Sequence, residues 1–304
     1  MAPNELVLAT RRSSLARWQT ESVRSQLAAC WPALRLEIIE VVTQGDRSLE
    51  RPLPEIGGKG VFTQELETAL RERRADLAVH SLKDLPTEVP EDLTVGAVLS
   101  RGDPRDVLVG AEGCDLAALP PGASVGTSSL RRQAQLLALR ADLRTRPVRG
   151  NVETRIDKVR RGEFQAVVLA AAGVLRLGLE RHATQWFELE QMLPAPGQGA
   201  IAVQCRADDQ TALGLLAAID HAPSRRTTTA ERAFLHALGA GCSAPVGAFA
   251  ELRGDQLYLR AVLADPDGTM LLRLQASGED PAGLGQALAL QALKEFAPGV
   301  ARHA

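Results

Sequence analysis

One short grammar is written twice along this chain, and it restricts the fold more than any other feature. A brief apolar run ends in hydroxyl residues and arginine, and a stretch of helical period follows at once. ELVLAT (Glu5 to Thr10) runs through Arg11, Arg12, Ser13 and Ser14 into a helix with Leu15, Trp18, Val23 and Leu27 on roughly one side. SVGT (Ser124 to Thr127) runs through Ser128 and Ser129 into Leu130, Arg131, Arg132 and a helix to about Arg140. Short apolar runs bounded by polar residues read as buried strands, and strands alternating with helices build a largely parallel sheet covered by helices. Ligands bind such sheets at the carboxyl ends of the strands.

The rest of the chain extends the pattern. A second strand, Leu36 to Thr43, leads to a polar loop holding Gly57-Gly58-Lys59-Gly60, then a helix from about Phe62 that places Leu66, Ala69 and Leu70 on one face. Leu77 to Ser81 is a strand that delivers HSLKDLP, His80 to Pro86, where an imidazole, a hydroxyl, an ammonium and a carboxylate stand side by side until Pro86 stops the element. After a strand at Val95 to Leu99, RGDPRD (Arg101 to Asp106) reads as a crossover into a second unit. There Thr145 to Val148 leads to Arg149, Gly150 and Asn151, an N-cap for a helix to Arg161, and Ala166 to Ala170 is a buried strand. LPAPGQG (Leu193 to Gly199) has the composition of a linker, and Ile201 to Gln204 reads as a strand returning to the first sheet. Thr228-Thr229-Ala230-Glu231 is a capping-box pattern that predicts a helix start. Strands at Val246 to Ala250, Leu257 to Leu263 and Met270 to Leu274, with a turn at Pro266-Asp267-Gly268, precede a last helix over Leu284 to Phe296. The expected fold class is α/β, with two α/β domains and a small C-terminal α+β domain.

Composition narrows the function. With 35 basic and 37 acidic residues among 304 the chain has no polyanion-binding coat, and 3% aromatics is too few for a base-stacking platform, so no nucleic-acid partner is expected. Cys30, Cys114, Cys205 and Cys242 form no CxxC pair, and the five histidines stand in no ligand-like spacing, so no metal site is expected. No signal-peptide core and no membrane-length apolar run is read, which points to a cytoplasmic protein without a membrane partner. Cys30, Cys114 and Cys205 read as small buried residues; Cys242 lies between Gly241 and Ser243-Ala244-Pro245, past a helix end and clear of bulky neighbours.

The strongest chemical signal is cations at helix starts. The N-terminus of a helix already carries positive partial charge, so a cation there costs a few tenths of a kcal/mol or more, ~0.3–1, unless an anion joins it. Arg11, Lys59, Arg131, Arg132, Arg149 and Arg155 all fall before or within such a first turn, accompanied by Ser13, Thr127, Ser128 and Ser129. Arginine forks and free backbone N–H groups bind carboxylate or phosphate. GGKG is not a phosphate-binding P-loop, since Leu53 and Gly60 stand where glycine and a magnesium-binding hydroxyl are required. The inferred ligand is small and multiply anionic.

In order along nearly the whole chain, LATRRSSLARWQT, TQGDR, GGKGVFTQELE, HSLKDLP, GTSSLRRQAQL, VRGNVETR, LPAPGQGAIAVQCR and AERAFL followed by GAGCSAPVG resemble the porphobilinogen deaminase (hydroxymethylbilane synthase) family. That resemblance implies two domains like periplasmic binding proteins, 1–99 with 200–217 and 105–193, and a third over 222–304, in a monomer. It implies a dipyrromethane cofactor joined to Cys242 through a thioether. Four porphobilinogen molecules add head to tail to that primer with loss of ammonia, and hydrolysis releases hydroxymethylbilane, a precursor of haem. Asp84 matches the catalytic carboxylate. Cofactor positions match Lys83, Asp84, Thr127, Ser129, Arg131, Arg132, Arg155, Ala170 and Gly173. Substrate positions match Arg11, Ser13, Lys59, Ser81, Ser129, Arg149, Arg155, Arg176 and Gln198. Positive charge develops on pyrrole nitrogens during the reaction, and an ionised carboxylate about 4 Å away would stabilise it by roughly 4 kcal/mol, about three powers of ten in rate. The competing reading is a non-catalytic two-lobed receptor for a small polyanion, which accounts for the arginines but gives Asp84 and Cys242 no task.

Overall fold

The computed structural model describes residues 5–44, 63–239 and 244–296. Lys59, Phe62, Cys242 and the Gly57–Gly60 loop lie outside the described residues. In chain order the elements are β1 (Glu5–Arg11), α1 (Ser14–Cys30), β2 (Arg35–Val41), α2 (Gln64–Arg71), β3 (Leu77–Ser81), β4 (Leu93–Val98), β5 (Asp106–Gly110), β6 (Ser124–Gly126), α3 (Leu130–Leu139), β7 (Arg144–Arg146), α4 (Val152–Arg160), β8 (Ala166–Ala170), α5 (Ala171–Arg176), β9 (Gln185–Trp186), β10 (Ile201–Arg206), α6 (Gln210–Leu216), α7 (Ala222–Ala237), β11 (Val246–Arg253), β12 (Gln256–Ala264), β13 (Leu271–Gly278) and α8 (Pro281–Glu295).

The chain divides into two compact units, Met1–Gly102 with Ala200–Arg225, and Asp103–Gly199 with Arg226–Ala304. Each holds a five-stranded sheet, ordered β2-β1-β3-β10-β4 in the first and β7-β6-β8-β5-β9 in the second. The two orders are one pattern. In each sheet the first three strands are parallel, and the fourth and fifth pair antiparallel to their neighbours. The fourth strand is the one the chain supplies by crossing over: β5 enters the second sheet after β4, and β10 returns to the first after β9. The returning strand was legible in the sequence; β5 was not, although DVLVG is an apolar run.

Packing follows the residue pattern, with one exception on α1. Val23 and Leu27 lie in one core with Leu6, Leu8, Leu77 and Val79, but the buried face continues through Ala16, Gln19 and Thr20, and Trp18 remains 41% exposed. Leu66, Ala69 and Leu70 of α2 pack as expected with Ala9 and Ala78. Beyond the second sheet, β11, β12 and β13 form a separate three-stranded antiparallel sheet whose core is closed by Leu284, Leu288 and Ala292 of α8 and by Phe234 of α7. The fold class is therefore α/β with a small α+β element, as expected.

Three local expectations fail. Helix α7 starts at Ala222, so Thr228–Glu231 sits inside it rather than capping it. Cys30 is exposed at the end of α1, and only Cys205 of the described cysteines is fully buried. LPAPGQG is not a loose linker. Leu193 exchanges bonds with the Gln135 side chain (2.8 and 3.0 Å), Pro194 O accepts from Ala248 N (3.0 Å), and Gly197 N donates to Glu231 Oε2 (2.7 Å). Proline and glycine here shape a fixed strap whose polar groups are satisfied by distant side chains.

Candidate functional site

In the first sheet, parallel pairing sets the carboxyl ends of β1 and β3 side by side, through Leu8 with Leu77 and Ala9 with Ala78. At the end of β1 stands Arg11, half-buried, followed by Ser13, whose Oγ caps α1 by accepting from Ala16 N (3.2 Å). At the end of β3 is Ser81, whose Oγ accepts from the buried Gln19 amide (2.8 Å). A single 3-10 turn, Leu82–Asp84, then carries the central motif. Leu82 and Leu85 sink into a core with Val98, Ala200 and Ala202, and Leu82 N donates to Ala200 O (3.0 Å). Two apolar anchors bracketing two charged residues leave Lys83 half-buried and the Asp84 carboxyl exposed at the sheet edge. One residue before this edge, His80 is buried and Nε2 finds no hydrogen-bond partner. Burial drives its pKa from 6.5 to about 4, with the nearby Arg11 charge adding to the effect and Gln204 opposing it. At neutral pH the imidazole is uncharged and cannot be the acid of this edge.

The second sheet gathers more at its corresponding edge. The loops after β6 and β7 are stitched by Ser128, whose Oγ donates to Val148 O (2.9 Å) and accepts from Val148 N (3.1 Å). Buried Thr127 accepts from Ser129 N (3.1 Å), and Ser129 Oγ caps α3 through Arg132 N (3.4 Å). Asn151 caps α4 as expected, accepting from Thr154 N (2.8 Å). Half-buried Arg149 precedes it, and Arg155 Nε donates to Gly150 O (2.8 Å). Gly150 has φ +110°, and a Cβ there would meet Thr154 Cγ2 at 2.6 Å, so only glycine closes this loop. Ala170 ends β8, Gly173 is buried in α5, and Arg176 Nη2 donates to Gly199 O (2.7 Å). Burial lowers the Arg176 guanidinium to about 10, still cationic at neutral pH.

For Arg131 and Arg132 the anion that sequence reasoning assigned to a ligand is already supplied by the chain. Asp106, the first residue of β5, accepts from Arg131 Nη1 (2.7 Å) and from Arg132 Nε (3.1 Å) and Nη2 (2.7 Å). Arg131 Nη1 also reaches Leu193 O (2.6 Å), and Arg132 Nη1 reaches Val168 O (3.0 Å). Exposures of 0%, 3% and 7% for Asp106, Arg131 and Arg132 make this a fully internal cluster. Burial alone would raise the Asp106 carboxyl; the charges and hydrogen bonds of the two arginines outweigh it and hold it well below the usual carboxylate range. Two guanidinium charges against one carboxylate leave a buried positive charge, and Arg131 Nε has no partner. Gln198, expected at a substrate pocket, is 1% exposed and donates to Pro104 O (2.7 Å), Arg105 O (3.2 Å) and Asp106 Oδ1 (2.9 Å). Sequence reasoning missed Asp106; the only available signal was an acid opening the run DVLVG.

A family profile described as porphobilinogen deaminase, dipyromethane cofactor binding domain, matches residues 6–214, and the C-terminal domain profile of the same family matches 226–294. The chain belongs to the porphobilinogen deaminase family. It is 50% identical over 291 residues to porphobilinogen deaminase from Roseiflexus sp. (strain RS-1), covering 95% of this chain and 96% of that one. It is 47% identical over 277 residues to the enzyme of that name from Brevibacillus brevis (strain 47), covering 91% and 90%. Among solved structures it is similar to the Bordetella pertussis BvgS periplasmic VFT2 domain at 16% identity and TM-score 0.44, over 71% of this chain and 86% of that one, too distant a likeness to bear on function. Among the described residues no group of three or more His, Cys, Asp or Glu could hold a metal ion, and no helix is long and apolar enough to cross a membrane.

Proposed function

We propose that this porphobilinogen deaminase family member joins porphobilinogen units head to tail and releases hydroxymethylbilane, with Asp84 as its catalytic carboxylate. The observation that supports this reading is an exposed acid held by buried Leu82 and Leu85 at a strand end beside Arg11. Each substrate ring brings an acetate and a propionate, so the chain needs cations to hold it and one acid for the transient positive charge. Asp84, ionised, accepts the pyrrole N–H as ammonia leaves and again as the new bond forms, and passes protons in the same steps. Arg11 and Ser13 hold carboxylates at the first sheet; Arg149, Arg155, Arg176, Ser129 and Thr127 do so at the second, with Arg131 and Arg132 supplying buried positive field.

The donor set suits a dipyrromethane: its carboxylates would meet Ser129, Arg149 and Arg155, and the buried cluster with its partnerless Arg131 Nε still carries uncompensated positive charge. That group supplies the free pyrrole α-carbon that starts the chain, with Cys242 as its attachment. We also infer that the three-stranded sheet and α8 form a third domain, and that the protein acts as a cytoplasmic monomer.

Intact-mass measurement with a turnover assay tests this reading. The active protein is expected to exceed its sequence mass by two linked pyrrole units, and Cys242→Ser to remove both the excess and the activity. Active preparations with the bare-chain mass would overturn the cofactor assignment; binding of porphobilinogen without ammonia release would favour a receptor.

A further inference from the structure

RGDPRD was expected only as a crossover, yet its last residue is a carboxylate without solvent exposure at the centre of a polar cluster. Asp106 faces Ala170 in the register of β5 with β8, so it lies at the edge where β8 ends and α5 begins. Its two oxygens serve helix and strap together. Oδ2 takes Arg131 Nη1; Oδ1 takes Arg132 Nε and Nη2 and the Gln198 amide. The Gln198 amide also donates to the Pro104 and Arg105 carbonyls, so the outbound and returning crossings are pinned to the same acid. Long arginine side chains carry many rotamers, and a buried carboxylate bonded to both guanidiniums removes that freedom before any ligand arrives.

We propose that Asp106 is a positioning residue, fixing Arg131 and Arg132 in advance for the carboxylates of the growing pyrrole chain. This rests on the reading above that these arginines serve the carboxylate-binding edge. Asp106 touches no substrate; it acts by holding the two buried guanidiniums whose positive field draws the carboxylates, so its loss should weaken binding more than the bond-making step.

The test compares the loaded parent enzyme with Asp106→Asn, Asp106→Glu and Asp106→Gly. Asp106→Asn is expected to raise KM for porphobilinogen by about tenfold or more with kcat changed less than about threefold, and to lower the fraction of chains carrying the two-pyrrole mass. Formate, but not chloride, should restore affinity in a concentration-dependent way to Asp106→Gly, since it returns a carboxylate to the arginine pair; a purely structural loss would not respond. Asp106→Glu keeps the charge but not the reach, and should show a smaller rise in KM. If Asp106→Asn fails to fold, Asp106→Glu decides: a KM equal to the parent's overturns the proposal. A folded Asp106→Asn with parental KM and loading overturns it too, as does a loss confined to kcat. A parent that makes no hydroxymethylbilane would instead fail the functional reading, and that is seen before any variant is measured.

Discussion

The two sheets share a strand pattern and place their acids in opposite ways. After β3, Leu82 N donates to Ala200 O, the residue before β10; after β8, Ala171 N donates to Arg105 O, the residue before β5, each at 3.0 Å. The registers then make Ile201, paired with Ser81, the counterpart of Asp106, paired with Ala170. Where the second sheet buries an acid on the crossing strand, the first has isoleucine and displays its acid, Asp84, on the turn after the parallel strand. A carboxylate enclosed by two arginines cannot meet a substrate cation without breaking those bonds. An exposed one flanked by apolar anchors can. On the proposed reading, one scaffold supplies a holding edge and a reacting edge, depending on whether the crossing strand or the turn after the parallel strand carries the acid.

The sharpest way to break that contrast is to neutralise the displayed acid. Asp84→Asn keeps the shape of the side chain and leaves the buried anchors in place, so folding stability should stay within about 0.5 kcal/mol, as for other surface changes. Turnover should fall by about three powers of ten, the value of a carboxylate near a developing unit charge. Steady-state ammonia release together with a urea melt checks both halves. Wild-type turnover would mean that the exposed acid is not the reacting one.

How much of this was legible depended on whether the cause was local. The cap Asn151 acts within one turn, and the sequence predicts it; for α1 the sequence allowed Ser13 or Ser14, and Ser13 is the one used. Leu82 and Leu85 are legible as apolar residues around Lys83 and Asp84, and the result is a presented acid. Asp106 was not legible, because its setting is made by residues 25 or more positions away, Arg131 first among them. LPAPGQG failed for the same reason: proline and glycine composition reads as a linker, while Arg131, Gln135, Arg176 and Glu231 tie it down from elsewhere. The sequence reading puts Trp18 on the buried side of α1, but at about 3.6 residues per turn it lies roughly 140° from Val23; the buried side is finished by Gln19 and Thr20, polar residues that satisfy Ser81 Oγ and Ala16 O.

A second prediction addresses what only the holding edge possesses, the extra three-stranded sheet in its unit. Glu231, fully buried on α7, accepts Gly197 N of the strap (2.7 Å) and Ala250 N of β11 (2.8 Å). Glu231→Gln retains one acceptor oxygen and turns an NH2 group toward the other donor. The orphaned N–H should cost roughly 1–3 kcal/mol in equilibrium unfolding. A variant as stable as the parent would show that the strap is held without it.

The smallest expected effect concerns the residue just before each edge, His80 in the first sheet and Leu169 in the second, paired with Ala202 and Val107. In the unfolded chain a histidine titrates near 6.5; here burial lowers the value to about 4. Between those limits the unfolded chain binds a proton that the folded one refuses. The stability associated with neutral His80 is therefore complete above pH 6.5 and declines as pH falls toward 4. From pH 7 to pH 5 the loss should be about 2 kcal/mol, at 1.36 kcal/mol per pH unit of differential titration. His80→Leu gives the first sheet the residue of the second and should flatten that slope by the same amount, read as the difference between urea midpoints at the two pH values. Other acids titrate as well, but they are common to both proteins and cancel in the comparison. An unchanged slope would mean that the imidazole protonates inside the fold, and the reacting edge would then carry a second titrating group beneath Asp84.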